Sequence, residues 1–210
     1  MKRILSIGVA LLLMILITAC ASKTAPEIES SSLPVNSNDG IDYSESTLEN
    51  IYLAGGCFWG VEAFFARIEG VSDVTSGYAN GTGDDPTTYR EVLKGDRAFA
   101  ETVEVTYDPE RVALTDLLSY YFKIIDPILL NQQGNDKGVQ YRTGIYYTDE
   151  KDLAVIEDIV TEEQENYDET IVTEVLPLTN YFLAEDYHQE YLENNPDGYC
   201  HIDLSILNDL

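Results

Sequence analysis

Residues 55–60 read Gly-Gly-Cys-Phe-Trp-Gly and join a short β-prone run, residues 51–54, to a segment with helical spacing of apolar side chains, residues 61–68. The paired glycines allow a turn that a side chain would obstruct. Cys57 is therefore predicted at the N-terminus of a helix, where free backbone N–H groups and the helix dipole favour a thiolate. The stretch predicts a strand–turn–helix unit carrying a reactive cysteine; a buried cysteine beside core aromatics is the alternative.

The rest of the chain alternates predicted strands with predicted helices. The strands are expected at residues 51–54, 71–78, 102–107, 144–147 and 170–176, and the helices at residues 61–68, 114–125, 150–167 and, in a short piece, 186–192. This order indicates an α/β (α+β) fold with helices packed on a sheet. Residues 77–97 and 131–142 lack a clear period and are rich in Gly, Asp, Asn and Tyr, a composition typical of long functional loops.

The N-terminus has the pattern of an export signal. Lys2 and Arg3 precede an apolar run, residues 4–17, that is short for a transmembrane helix. The run ends in Ile-Thr-Ala-Cys at residues 17–20, which resembles the bacterial lipobox, where cleavage leaves a lipid-modified cysteine. We therefore expect a signal peptide over residues 1–19, lipid on Cys20 and a position at the outer face of a bacterial membrane. A plain secretory signal and an uncleaved anchor are the alternatives.

Composition divides the remaining chain. Residues 20–47 are rich in Ser, Asn, Pro and acidic residues and are predicted to form a flexible tether, whereas residues 48–210 have the length of one domain with its own core. The whole chain has 12 basic and 38 acidic residues, a formal net charge of −26. Nucleic acid is an unsuitable partner for such a chain, and membrane attachment would have to come from lipid at Cys20.

Two cysteines remain once Cys20 is assigned to lipid. In an exported protein Cys57 and Cys200 could form a structural disulfide or a redox couple. Cys200 lies in a Pro- and Gly-containing segment near the C-terminus that is typical of a loop or mobile tail, and a mobile thiol suits reversible exchange with a thiol at a helix start. The cysteines and histidines lack the spacing of a metal site, so neither a metal nor another cofactor is expected.

Residues 55–62, Gly-Gly-Cys-Phe-Trp-Gly-Val-Glu, resemble the signature of the peptide methionine sulfoxide reductase A family. The similarity continues through residues 77–78, 86–92, 100–101, 107–109, 133–136, 140–142, 184–189 and 198–200, and it spans residues 51–206 with spacing preserved. The resemblance implies a two-layer sandwich around a mixed sheet. It also implies an oxidoreductase that repairs oxidised proteins by reducing methionine-S-sulfoxide, free or in polypeptides, to methionine.

The resemblance also implies a role for each matching residue. Cys57 would attack the sulfoxide sulfur, Glu101 would protonate the oxygen, and Cys200 would convert the sulfenic acid on Cys57 to a disulfide. A thioredoxin-like protein would then open that disulfide. The implied substrate-binding residues are Phe58 and Trp59 for the methyl group, Tyr89 and Tyr141 for the oxygen, and Asp136 and Tyr199 as further polar wall.

Phe99 departs from the family pattern, because many relatives have His at this position. The change makes the surroundings of Glu101 more apolar, and we expect it to raise the pKa of that carboxyl. No cysteine follows Cys200, so the Cys57–Cys200 disulfide would itself be the one that an external reductant opens. We expect a monomer.

Two other classes of protein stay open at this point. A cysteine acyl-transfer enzyme would also use a thiolate at a helix start, but it needs a histidine base, for which His188 and His201 are the candidates. His188 is read as structural because nothing in the sequence pairs it with Cys57. A non-catalytic surface lipoprotein would need neither thiol.

Overall fold

The computed structural model describes residues 33–210. The predicted signal peptide and the predicted lipidation site at Cys20 lie outside the described residues. Within the described range, no helix combines the length and the hydropathy that a membrane crossing requires.

A mixed β-sheet of six strands forms the centre of the fold. Its strands are β1 Glu49–Gly55, β2 Val71–Ala79, β3 Ala100–Tyr107, β6 Thr143–Tyr147, β7 Glu174–Pro177 and β8 Tyr181–Leu183, and a separate ribbon pairs β4 Gln132–Gln133 with β5 Asp136–Lys137. The order across the sheet is β7-β6-β1-β3-β2-β8, and β6 with β7 is its parallel pair. The predicted α/β architecture is confirmed.

The helices pack on this sheet and enclose the core. They are α1 Phe58–Phe65, α2 Tyr89–Val92, α3 Leu114–Ile124, α4 Lys151–Gln164 and α5 Tyr191–Asn194, with 3-10 turns at Val139–Tyr141, Asp186–His188 and Leu204–Asp209. Helix α1 lies against β2 and β3, and α3 lies against α4. Along β3, Val103, Val105 and Tyr107 alternate into the core, as their period of two predicts.

The observed elements differ from the predicted ones mainly where they are short. Helix α1 begins at Phe58, three residues before the predicted start, because the glycine turn already ends at Cys57. The predicted short helix at residues 186–192 is two separate turns, since Glu190 between them adopts a left-handed conformation with φ 50°. The three residues of β8 were not predicted, because a strand of that length shows no period.

The division between tether and domain at residues 47 and 48 stays a prediction. Side chains nevertheless connect the described part of the predicted tether to the domain. The Asn38 amide donates a hydrogen bond to the carbonyl of Ile68 at 2.7 Å, and the Arg67 guanidinium donates to the carbonyl of Pro34 at 2.8 Å. These bonds hold the segment beside the end of α1.

Candidate active site

A glycine turn delivers Cys57 to the start of α1. Gly56 has φ +86°, and a Cβ atom there would lie 2.6 Å from Cβ of Gln133, so both the backbone angle and the space require glycine. Cys57 is the N-cap residue, with extended φ −61° and ψ 118°, and its side chain is 7% exposed. The sequence predicted this location at a helix start.

Glu101 lies on β3 directly beside this turn. Its carboxylate accepts a hydrogen bond from the backbone N–H of Phe58 at 3.2 Å, and its side chain is 1% exposed. Burial raises the pKa of Glu101 to about 8, the Phe58 N–H opposes that rise, and the charge of Asp136 adds to it. Glu101 therefore holds a proton at neutral pH, as a general acid must.

The pKa of the Cys57 thiol is raised, first by burial and then by the charge of Glu101. The backbone N–H of Trp59 lowers the pKa of the thiol. This effect is smaller than the first two, and Cys57 Sγ does not accept a capping hydrogen bond of normal geometry at the start of α1. The expectation that the helix start alone favours a thiolate is therefore wrong for the substrate-free site. Desolvation exceeds the effect of the helix terminus, and the site rests with a neutral thiol beside a largely neutral carboxyl.

Two tyrosines from the predicted functional loops meet near Glu101. Tyr89 begins α2, and Tyr141 ends the 3-10 turn at residues 139–141. Their hydroxyls lie close enough for each to influence the pKa of the other. Burial followed by the charge of Glu101 raises the pKa of both tyrosines overall, so both are hydrogen-bond donors at neutral pH.

Asp136 and Tyr199 close the outer side of the cluster. The Tyr199 hydroxyl donates a hydrogen bond to a carboxylate oxygen of Asp136 at 2.8 Å. Burial, followed by this hydrogen bond, raises the pKa of Tyr199 to about 12. The charge of Asp136 also acts on Cys57 and Glu101, which places all four groups in one electrostatic neighbourhood.

An aromatic cluster lies on the other side of Cys57. The Trp59 ring stacks on Tyr191 at 3.7 Å between centroids, and its indole N–H donates to Nδ1 of His188 at 3.0 Å. The His188 ring also lies 5.0 Å from the Phe58 ring and 4.7 Å from the Tyr89 ring. His188 is thus the centre of this cluster, consistent with its structural reading.

Cys200 lies against the first turn of α1. A Cβ atom on Gly60, three residues after Cys57, would be only 2.8 Å from Cys200 Sγ. The Cys200 thiol donates to the carbonyl of Ile202 at 3.3 Å, and burial raises its pKa. Both thiols are free. The segment predicted to be a loop or mobile tail, residues 195–201, is irregular, with Cys200 half-buried and Pro196, Asp197 and Tyr199 exposed, and Ile202 directly after it lies in the core.

Sequence reasoning missed two positioning residues, Glu185 and Tyr191. Glu185 accepts the backbone N–H of Tyr89 at 3.0 Å and the hydroxyl of Tyr78 at 2.9 Å, and so fixes the start of α2. Glu185 could have been found from the sequence, because it lies within residues 184–189, one of the stretches that resemble the family. Tyr191 lies just after that stretch, and only its stacking on Trp59 identifies it.

Neither histidine is arranged as a base for Cys57. His188 uses Nδ1 to accept from Trp59, and His201 places Nε2 3.0 Å from the carbonyl oxygen of Gly55. Burial lowers the pKa of both rings. A Cys–His pair for acyl transfer is therefore not supported by the hydrogen bonds of residues 33–210.

The chain resembles one family of known proteins over nearly all of this domain. The family model for peptide methionine sulfoxide reductase matches residues 49–209. Peptide methionine sulfoxide reductase MsrA of Clostridium acetobutylicum is 52% identical over 160 residues, which is 76% of this chain and 98% of that protein.

Solved structures give the same result. Reduced Mxr1 of Saccharomyces cerevisiae superposes with a TM-score of 0.70 at 39% identity, covering 77% of this chain and 93% of that one. Mxr1 in complex with Trx2 superposes with a TM-score of 0.50 at 27% identity, covering 72% of this chain and 90% of that one.

Proposed function

The chain belongs to the peptide methionine sulfoxide reductase family, and from that premise we propose the roles by which its residues perform the reaction. The protein is an oxidoreductase that reduces methionine sulfoxide to methionine with electrons from thiols. One observation supports the assignment of roles: the protonated carboxyl of Glu101 accepts a hydrogen bond from the backbone N–H of Phe58, the residue that follows Cys57.

In the first step, Cys57 attacks the sulfur of methionine sulfoxide while Glu101 donates a proton to the sulfoxide oxygen. The attack forms a bond between the two sulfurs. That bond and the sulfur–oxygen bond of the substrate then break: the substrate sulfur keeps the electron pair and leaves as the thioether of methionine, and the oxygen becomes bonded to the Cys57 sulfur as the hydroxyl of a sulfenic acid. The substrate sulfur is reduced by two electrons, and the cysteine sulfur is oxidised by two. Glu101 gives its proton to the sulfoxide oxygen and takes up the proton that the Cys57 thiol releases. The neutral thiol and the neutral carboxyl of the resting site therefore supply the one proton that the step needs.

The tyrosine hydroxyls and the aromatic rings would orient the substrate. Tyr89 and Tyr141 can donate to the sulfoxide oxygen, which carries the negative charge of the polarised bond. Trp59, held by Tyr191 and His188, would receive the methyl group, because a thioether and its methyl pack well on an aromatic ring. We assign this arrangement to the S epimer of methionine sulfoxide.

In the second step, the Cys200 thiol attacks the sulfur of the Cys57 sulfenic acid, forming a disulfide and releasing water. Cys200 is suited to this role because its sulfur already lies against Gly60 in the first turn of α1. A dithiol reductant then opens the disulfide. The structure of Mxr1 with Trx2 supports a thioredoxin-like protein as that reductant.

The test of this function is reduction of purified methionine sulfoxide epimers by the protein with dithiothreitol. We expect methionine from the S epimer and none from the R epimer. Cys57→Ser is expected to abolish turnover, because a serine hydroxyl stays protonated near neutral pH and forms no sulfenic acid. Reduction of the S epimer at the wild-type rate by Cys57→Ser would remove Cys57 from the mechanism.

We further propose that the mature protein begins at lipidated Cys20 and acts, as a monomer, at the outer face of a bacterial membrane. The support is the sequence pattern of residues 1–20: a basic start, a short apolar run and a lipobox-like end. An enzyme at that position would repair envelope proteins exposed to oxidants.

A further inference from the structure

Arg67 lies just after α1 and is buried although its side chain is charged; it is 4% exposed. Its Nε donates a hydrogen bond to the carbonyl of Pro34 at 2.8 Å, and its Nη1 donates to the carbonyl of Ala63 at 2.7 Å. Its Nη2 pairs with Oε1 of Glu193 at 2.5 Å. The three nitrogens of one guanidinium thus connect three parts of the chain: the segment before β1, the end of α1 and α5.

Glu193 is the carboxylate partner of this buried charge. Among residues 33–210, no other carboxylate forms an ion pair with Arg67. A buried charge is costly unless it is paired and hydrogen-bonded, and the planar guanidinium restricts the direction in which its partner can lie. Because two backbone carbonyls already fix Arg67, the ion pair holds Glu193 in place.

Helix α5, which carries Glu193, has no stability of its own. It has four residues, far fewer than an isolated helix needs in water. It also begins after Glu190, whose φ of 50° costs a residue other than glycine conformational energy. The position of α5 is therefore set by contacts with the rest of the fold, and it packs against α1.

Helix α1 and the residue Arg67 after it contact α5 at both of its ends. Burial raises the pKa of Glu62 on α1 to about 7, and the backbone N–H groups of Glu190 and Tyr191 at the start of α5 oppose this rise. At the other end of α5, Arg67 pairs with Glu193. The single turn of α5 is thereby fixed on both sides.

The first residue of α5 belongs to a wall of the active site. Tyr191 stacks on Trp59 with 3.7 Å between the ring centroids and 14° between the ring planes. Such a contact depends on close approach, since a gap of about 0.5–1 Å already removes a quarter to a half of the dispersion attraction. Tyr191 precedes Glu193 by two residues in the same turn, so a shift of Glu193 would move the Tyr191 ring away from Trp59.

We infer that Arg67 is a positioning residue for the reductase reaction: through Glu193 it fixes α5, and through α5 it holds Tyr191 against Trp59. The inference rests on the proposed function, which assigns Trp59 to the methyl group of the substrate. Loss of the ion pair should therefore weaken substrate binding and leave the chemical step intact.

The variant that tests this inference is Glu193→Gln, which removes the charge from a half-exposed side chain and keeps its shape. In steady-state reduction of methionine-S-sulfoxide with dithiothreitol, we expect its KM to be about three- to tenfold higher, the value of one aromatic pair, with kcat within about twofold of the wild type. Glu49→Gln, which removes the carboxylate that pairs with Lys151 at 2.7 Å, is the matched control and should keep the wild-type KM. An unaltered KM in Glu193→Gln would overturn the inference.

Combined variants test the path of the effect. In a Tyr191→Ala background, Glu193→Gln should raise KM no further, because the ring that it positions is absent. Arg67→Gln/Glu193→Gln should have the KM of Arg67→Gln alone, because the two residues act as one unit. An equal increase in KM with and without the Tyr191 ring would show that Glu193 acts by another path and would overturn the inference.

Trp59 supplies a readout that does not depend on turnover, because it is the single tryptophan of the chain. Acrylamide should quench its fluorescence more strongly in Glu193→Gln than in the wild type or in Glu49→Gln. Equal quenching in the three proteins would overturn the inference and leave the proposed function intact. A wild-type protein that does not reduce the S epimer would instead overturn the proposed function, while stronger quenching in Glu193→Gln would still support the positioning of Trp59 by the ion pair.

Discussion

The backbone N–H of Phe58 donates a hydrogen bond to the Glu101 carboxyl at 3.2 Å. The proposed acid, Glu101, is therefore held beside the residue that follows the proposed nucleophile, Cys57. The same contact limits the pKa of Glu101: burial raises it, and the N–H group lowers it, leaving a value of about 8. A higher value would make Glu101 a poor proton donor, and a lower one would leave it charged beside Cys57.

We predict that Glu101→Gln lowers the rate of the sulfoxide step by roughly 10²-fold or more while the protein stays folded, because Gln keeps the acceptor for Phe58 but has no proton to donate. In the wild type, this rate should fall as pH rises through about 8, as Glu101 loses its proton. Single-turnover kinetics between pH 6 and 9 measure both effects. An unchanged rate in Glu101→Gln would show that the proton comes from another group.

The same substitution gives a pH-dependent effect on stability. The pKa of Glu101 rises from 4.5 to about 8 on folding. Its contribution to the free energy of unfolding is therefore fully present below pH 4.5 and is lost as pH rises through about 8. Relative to the wild type, Glu101→Gln should gain thermal stability between pH 5 and pH 9, and a constant difference in Tm would contradict the raised pKa.

The sequence predicted the parts of this site that depend on local chemistry. The glycine pair and the helical spacing after it located Cys57 at a helix start, because turn geometry is a property of neighbouring residues. The resemblance named Glu101 and the tyrosines, and the fold brings them near Cys57. The charge state of Cys57 was predicted wrongly, because desolvation depends on the tertiary packing that leaves its side chain 7% exposed.

The contacts that position Trp59 could not be predicted from local patterns. Tyr191 stacks on Trp59 from a four-residue helix, and Glu190 before it takes a left-handed conformation that no sequence period indicates. The short strand β8 was missed for the same reason, since its pairing with β2 depends on the whole sheet. Long elements with a clear period, such as α3, were predicted to within one residue.

We predict that Tyr89→Phe and Tyr141→Phe each lower kcat/KM by less than about tenfold, the value of one neutral hydrogen bond. The double variant should lose more than the product of the single losses, because the two hydroxyls interact and either can partly replace the other. Tyr120→Phe on α3 is the matched control. Strictly multiplicative losses would show that the two hydroxyls act independently.

We predict that Cys200→Ser reduces about one equivalent of methionine-S-sulfoxide and then stops when thioredoxin is the reductant, because the sulfenic acid on Cys57 has no internal thiol to react with. Small thiols should restore slow turnover. Quantifying methionine per enzyme and trapping the sulfenic acid with dimedone test this expectation. Normal cycling with thioredoxin would exclude Cys200 as the resolving residue.

We predict that Gly60→Ala slows disulfide formation but not the first step. The new Cβ would lie 2.8 Å from Cys200 Sγ and 3.1 Å from Cδ1 of Ile202, so the resolving sulfur must move. A displacement of this kind should slow the Cys57–Cys200 reaction by roughly tenfold to 10²-fold. Rapid-quench measurement of free thiols separates the two steps, with Ala66→Gly at the C-terminal end of the same helix as a control. An unaltered rate of thiol loss would show that this contact does not set the position of Cys200.

The last prediction concerns Cys20, which precedes the described residues. If the run at residues 4–17 is an export signal that ends in a lipobox-like Ile-Thr-Ala-Cys, then Cys20→Ala should abolish labelling by radioactive palmitate and move the protein from the membrane to the soluble or secreted fraction. Its specific activity should be unchanged, because the residues assigned to catalysis begin at Cys57. Ser22→Ala, which keeps the cysteine, is the matched control and should remain at the membrane. Native protein found in the cytosol with Met1 retained would contradict export and would leave the reductase mechanism unaffected.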